Sequence, residues 1–165
     1  MECYTFRMSR AFTREQDDDR SPSDIGERPI SGHRNLVTQE GLRLIEEEAA
    51  SLRERLATAE ADGEREKIAL ISRDLRYWAA RRENAEVSVP DTASDVVRFG
   101  MSVTIEAEDG TSHRWKIVGE DEADATKGKI SHVSPMAVAL FGKRIGDVAT
   151  VNGKEWEITG LDAGE

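Results

Sequence analysis

The chain is short of several things at once. Cys3 is the only cysteine among 165 residues, so no intrachain disulfide can form. That fits a reducing cytoplasm, the expected location. No apolar run approaches the roughly 20 residues needed to span a bilayer. The N-terminus has no apolar core of the kind a signal peptide carries. Met8, opening Met8-Ser9-Arg10-Ala11-Phe12, is a second candidate start. Positive charge is also scarce. The net charge is −10, and every stretch is negative: −1 over residues 1–38, −3 over 39–87, −2 over 88–95 and −4 over 96–165. No segment can hold nucleic-acid phosphates unaided, although a protein partner that itself holds nucleic acid stays compatible. There is no phosphate-binding glycine loop and no Ser/His/Asp arrangement. His33, His113 and His132 lack metal-ligand spacing and a cysteine partner. Apolar residues make up 38% and charged residues 34%. That balance points to long exposed faces rather than one deep core.

What is present is a mirrored helical pattern. Residues 1–37 carry Asp17-Asp18-Asp19, scattered arginines and no apolar period. They read as a disordered charged arm, with Ile30 and Leu36 available to pack locally. Thr38 is a suitable N-cap and Glu40 suits a first turn. Leu42, Ile45, Ala49, Leu52, Leu56 and Ala59 then form a heptad seam. After Asp62-Gly63 the seam resumes at Ile68, Ile71, Leu75, Trp78, Arg82 and Ala85. Ala59 mirrors Ile68, Leu56 mirrors Ile71, Leu52 mirrors Leu75, and so on outward to Leu42 and Ala85. The centre of symmetry lies between Gly63 and Glu64. Residues 38–87 therefore read as an antiparallel helical hairpin, each arm roughly 33 Å long. A continuous coiled-coil dimer is the rival, disfavoured by a glycine at the mirror centre. Arg82 opposite Ile45 breaks the apolar rule; its stem can cover the seam while its head reaches water.

Residues 88–95 form a linker, with Pro90 barring a helix before it. Strand signals follow in residues 96–165. Val96–Phe99 and Ser102–Ala107 alternate, Asp109-Gly110 turns, and His113–Val118 returns. Ile130–His132 is a further short strand. Ser134-Pro135 starts a short helix that ends near Phe141. Asp147–Val151 and Glu155–Leu161 flank Asn152-Gly153, a strong hairpin signal. Trp115 and Trp156 lie in strands and suit a core. The fold class is α+β: a helical hairpin, then an antiparallel sheet with one short helix.

Three stretches carry a family resemblance: Arg98-Phe99-Gly100-x-x-Val103, Ile117-Val118-Gly119-Glu120-Asp121-Glu122-Ala123-Asp124, and Ile130-Ser131-x-x-Ser134-Pro135-Met136-Ala137-x-Ala139-Leu140-x-Gly142-Lys143-x-x-Gly146-Asp147. In this order and spacing they resemble the C-terminal domain of bacterial Gre transcript-cleavage factors. The likeness covers residues 96–161 and extends more loosely over the hairpin, where Thr38-Gln39-Glu40-Gly41-Leu42 is similar to that family's helix start. It implies an FKBP-like domain that docks on RNA polymerase and a hairpin that enters the secondary channel. Tip carboxylates then help hold a second Mg²⁺ and orient water in the polymerase active site. By this resemblance the chain is a monomeric accessory factor rather than an enzyme, and meets RNA and DNA only within the polymerase complex. The FKBP-like fold is weak support for prolyl isomerase activity.

The tip is where the sequence departs from that family. It reads Glu60-Ala61-Asp62-Gly63-Glu64-Arg65-Glu66 on a shorter hairpin, and lacks the family's acidic-pair motif. Asp62 and Glu64 are the stand-ins, matched by location, for the catalytic and Mg²⁺-holding roles. Acidic residues also suit any solvated turn, and Glu64 and Glu66 favour a helix N-terminus. Glu83-Asn84-Ala85-Glu86 copies part of the family motif, but the mirror register puts it at the hairpin base. For partner binding, Ser134, Pro135 and Met136 form the docking corner that the resemblance implies, or simply cap and pack a helix. Val133 stands where some family members have an acidic residue. Arg73 and Arg76, with Arg81 and Arg82, give the second helix a basic stretch. It suits a partner surface or a solvated face balancing Glu46, Glu47 and Glu48.

Overall fold

The helices form where the caps allow them to. In the computed structural model, which describes residues 25–163, helix α1 spans Gln39–Asp62 and helix α2 spans Arg65–Glu83. The Thr38 hydroxyl accepts from the Gly41 N–H at 2.9 Å and starts α1. Gly63 ends it at φ 70°, a left-handed conformation that costs glycine little. Two residues thus connect the helices, at the centre of symmetry read from the seams. Ile45, Ala49, Leu52, Ala59 and Ile71 are buried between the arms, and Leu56, Ile68, Leu75 and Trp78 pack around them. The 24 residues of α1 give about 36 Å of helix.

The second unit is a five-stranded sheet in the order β5-β4-β3-β7-β6. Its strands are β3 Ser102–Glu106, β4 Ser112–Val118, β5 Lys129–Ser131, β6 Val148–Val151 and β7 Lys154–Asp162, with helix α3 at Pro135–Leu140. Asn152 (φ 52°) and Gly153 (φ 77°) make the turn joining β6 to β7, both positive as a two-residue hairpin wants. Val103, Ile105, Ile117 and Ile158 from the sheet close over Ala137 and Leu140 of α3. This is the helical hairpin and β-rich domain with one short helix that the sequence implied.

Three readings need correction. Val96–Phe99 is not a strand: Val97 and Phe99 are buried in the core, but the backbone of Val97 bonds with the turn after α3, to Lys143 O at 2.8 Å and from Gly142 N at 3.1 Å. Alternation there reported burial, not a ladder. The sheet is also not wholly antiparallel, since β4 and β5 run parallel. Their connection, residues 119–128, carries a short 3-10 turn at Ala125–Lys127. Finally, the arm is placed from residue 25 onward. Leu36–Val37 (β1) pairs in parallel with Glu86–Val87 (β2), and Asn35 and Val37 are buried. This segment is held by a two-residue strand pair and scattered polar contacts, which leave no apolar period to read. Leu36 packs against the sheet's core while Ile30 stays 48% exposed. Residues 1–24, with Cys3, Met8 and Asp17–Asp19, lie outside the described residues.

The hairpin base is gripped by the acidic loop after β4. Asp121 accepts from Arg81 Nε at 2.5 Å and from the Tyr77 hydroxyl at 2.7 Å. Glu122 accepts from the Thr38 hydroxyl at 2.5 Å and from Lys129 Nζ at 3.0 Å. Gly119 lies so close to β1 that a Cβ there would sit 2.6 Å from the Leu36 carbonyl oxygen. Gly41 similarly abuts the Glu122 carboxylate, at 2.7 Å from an added Cβ. The buried arginine is therefore Arg81, with 3% of its side chain exposed, while Arg82 stays outside and pairs with Glu46 at 3.0 Å.

Removing one member of a buried ion pair strands the other charge. Arg81→Met is expected to cost about 3 kcal/mol, read as a lower urea midpoint, and Arg81→Met/Asp121→Leu recovers part of it. Burial, and then the bond to Asp121, pushes the Tyr77 phenol up to about 12. The folded state thus favours the neutral phenol. Its contribution is complete below the ordinary tyrosine value of about 10 and is lost as pH rises through about 12. Absorbance titration should show one phenol ionising late, and earlier in Asp121→Asn.

Candidate functional site

The tip lies at the end of the hairpin remote from the clamp, and its carboxylates are not equivalent. Glu60, Asp62 and Glu66 are exposed and Glu64 is half-buried. Glu64 occupies the N-cap position of α2 without a side-chain capping bond, and pairs with Lys67 at 2.7 Å. With Glu66 in the first turn, it sits where the helix dipole favours negative charge. Local stability accounts for both. Glu60 and Asp62 sit in the last turn of α1, which carries no basic residue. A carboxylate there opposes the dipole. The Asp62 carboxylate makes no hydrogen bond or ion pair among the described residues. Of the two residues singled out from sequence, Asp62 is the one whose position its own helix does not explain. The look-alike Glu83–Glu86 stretch sits at the base, where Asn84 caps α2 and Glu86 pairs with Arg34.

Two carboxylates can fill part of a metal's coordination shell but not all of it. Among the described residues there is no group of three His, Cys, Asp or Glu placed to hold a metal ion. Asp62 and Glu64 by themselves fall short of a complete coordination shell for a hard cation such as Mg²⁺.

Ser134, Pro135 and Met136 have clear internal duties. The Ser134 hydroxyl accepts from Ala137 N at 3.3 Å, Pro135 takes the first helical position, and Met136 packs on the core. Pro135 itself is exposed. Sequence reasoning missed the apolar residues beside it. Val138 on α3, Ile145 in the following turn and Val148 at the start of β6 are 61%, 59% and 46% exposed. A six-residue helix is too short for periodicity to reveal its outer face.

The basic stretch of α2 is already occupied. Arg73 bonds Asp74 at 2.9 Å and Arg76 bonds Glu27 at 2.5 Å. Arg81 is buried on Asp121 and Arg82 meets Glu46. Of the histidines, His132 is buried edge-on to Phe99, and His113 lies beside Trp115 and Trp156.

Comparison with known proteins gives these features a context. Residues 91–161 match the family model for the C-terminal domain of transcription elongation factor GreA/GreB. Transcription elongation factor GreA of Bradyrhizobium diazoefficiens is 33% identical over 131 residues, covering 66% of this chain and 80% of that protein. Its counterpart in Phenylobacterium zucineum is 33% identical over 150 residues, covering 76% of this chain and 96% of that protein. Among solved structures, GreA factor homolog 1 (Gfh1) of Thermus thermophilus is similar at 24% identity and a TM-score of 0.37, covering 78% of this chain and 99% of that one. With a third of the residues identical across most of the length of these relatives, the chain belongs to the GreA/GreB family of transcription elongation factors.

Proposed function

We propose that this factor docks on RNA polymerase through its C-terminal domain, inserts its hairpin into the secondary channel, and assists cleavage of backtracked transcripts there. The observation that carries this reading is Asp62: an exposed carboxylate, unexplained by its helix, at the far end of a stiff hairpin whose base is clamped to the sheet domain. Mg²⁺ shared with the polymerase would act as a Lewis acid, stabilising the attacking and leaving oxygens of phosphodiester hydrolysis. Asp62 would contribute a hard oxygen ligand to it, and Glu64 would help orient water beside it. The chain is then an accessory to another protein's active site rather than an enzyme. Its net negative charge keeps it off free nucleic acid. A monomer in the cytoplasm is sufficient for this role.

RNA shortening in stalled complexes tests the tip. Asp62→Ala/Glu64→Ala is expected to slow factor-stimulated cleavage by at least about tenfold, equivalent to about 1.4 kcal/mol, with polymerase binding intact. Equal rates for variant and wild type would reject the tip mechanism.

One observation favours a second reading. Glu64 is committed to Lys67, and the family's acidic-pair motif is absent at the tip. A factor so built occupies the channel without cleaving. In that case wild type binds polymerase, leaves the transcript intact and suppresses a genuine cleavage factor. Failure to compete at saturation would dismiss it.

Exposed apolar residues on one edge support docking there. Val138→Asp/Ile145→Asp is expected to weaken polymerase binding by about tenfold or more, while stability stays within about 0.5 kcal/mol per surface substitution. Unchanged affinity would move the docking surface elsewhere.

A further inference from the structure

The strand pair at the hairpin base is open on one side. Glu86 N–H donates to the Asn35 carbonyl at 2.8 Å, and Ser88 N–H donates to the Val37 carbonyl at 3.0 Å. In an extended chain, successive residues turn their main-chain groups to opposite sides. Those of Val87 and Val89 therefore face away from β1. Among the described residues, neither valine shares a hydrogen bond with another backbone group on that side.

Their side chains are bare as well. Val87 is 48% exposed and Val89 69% exposed. Val89 also borders a hollow of about 180 Å³ with Thr38, Pro90 and Gly100, and Glu40 and Lys116 on its wall offset each other in charge. Proteins ordinarily blunt an open edge with charge, proline or a covering segment. Pro90 ends this edge, but no described residue covers Val87 and Val89.

The surrounding charge selects the occupant. Residues 83–95 contain Glu83, Glu86, Asp91 and Asp95 and neither lysine nor arginine. Arg34 answers Glu86, and Arg144 lies 3.6 Å from Asp95. Glu83 and Asp91 bracket the edge without an ion pair among the described residues. A second copy fits poorly. Antiparallel pairing about Ser88 would set Asp91 of each copy diagonally across from Glu83 of the other, a like-charge contact. It would also set Pro90, which has no N–H, opposite Glu86.

We propose that the Val87–Val89 edge takes up an extended segment of a partner protein as a third strand, with apolar residues laid over the valines and lysine or arginine at its flanks. Main-chain hydrogen bonds at Val87 and Val89 supply affinity, and Glu83 and Asp91 select the basic flanks. The edge lies at the opposite end of the hairpin from Asp62, so its occupancy does not depend on transcript cleavage and is read in the isolated protein.

The probe is a capped peptide of alternating lysine and valine, titrated into the isotope-labelled full chain. The amide signals of Val87 and Val89 should shift and saturate, and their hydrogen exchange should slow by about threefold or more. A matching peptide of alternating glutamate and valine should leave them unmoved. Val87→Pro removes a donor that faces the peptide and spares both bonds to β1, so peptide affinity should fall about fivefold or more. Glu83→Lys/Asp91→Lys should reverse the preference between the two peptides, which keeps the test decisive if Val87→Pro fails to fold. No saturation, equal binding of both peptides, shifts confined to the sheet domain, or undiminished affinity in folded Val87→Pro would overturn the proposal. Protection of Val87 that grows with protein concentration without peptide would also overturn it, because a second copy would then be the occupant.

Discussion

Everything at the hairpin's far end depends on what happens at its base. A rod about 36 Å long magnifies any rotation at its root, so a tip carboxylate can be placed reproducibly only if the root is fixed. The Arg81–Asp121 pair does this from α2, and the Glu122–Thr38 bond does it from α1. Gripping both arms removes the freedom to pivot that a single contact would leave. Both charges of the Arg81 pair are largely withdrawn from water, so the geometry is held by mutual need rather than by weak surface attraction. The close approach of Gly119 to Leu36 adds a steric floor beneath the clamp.

Much of this was legible from residue order alone. The hairpin turn followed from symmetry, because opposing heptad seams constrain each other. The β6–β7 turn followed from Asn152-Gly153. What escaped detection shares one physical character. Residues 25–37 are secured by a cation–π stack, three ion pairs, one buried amide and a two-residue strand pair, none of which repeats periodically along the chain. Val97 and Phe99 alternate like a strand because alternate residues of any extended segment laid on a core are buried. The heptad seam singled out Arg82, yet the buried arginine is Arg81, one helical step away, and Arg82 pairs with Glu46 at the surface. The motif Gly119-Glu120-Asp121-Glu122 was recognisable as a family feature, while its role in joining the two units required knowing what faces it.

The tip shows how a structure can sharpen a pair chosen by position. Asp62 and Glu64 flank one glycine, but they belong to opposite helix ends. The dipole welcomes Glu64 and opposes Asp62. The distinction separates a carboxylate that helps build the turn from one the turn merely tolerates. Residues retained against local preference are where function is best sought.

Thr38 has one hydroxyl and two tasks. Its oxygen accepts from Gly41 to begin α1, and its proton goes to Glu122. The first turn of the helix and the latch between the two units therefore share an atom. Fraying of that turn releases the latch, and opening of the latch loosens the turn. The boundary between the helical and sheet units is thus not a seam along which the protein would come apart in stages. It makes hairpin and sheet members of one cooperative melting unit.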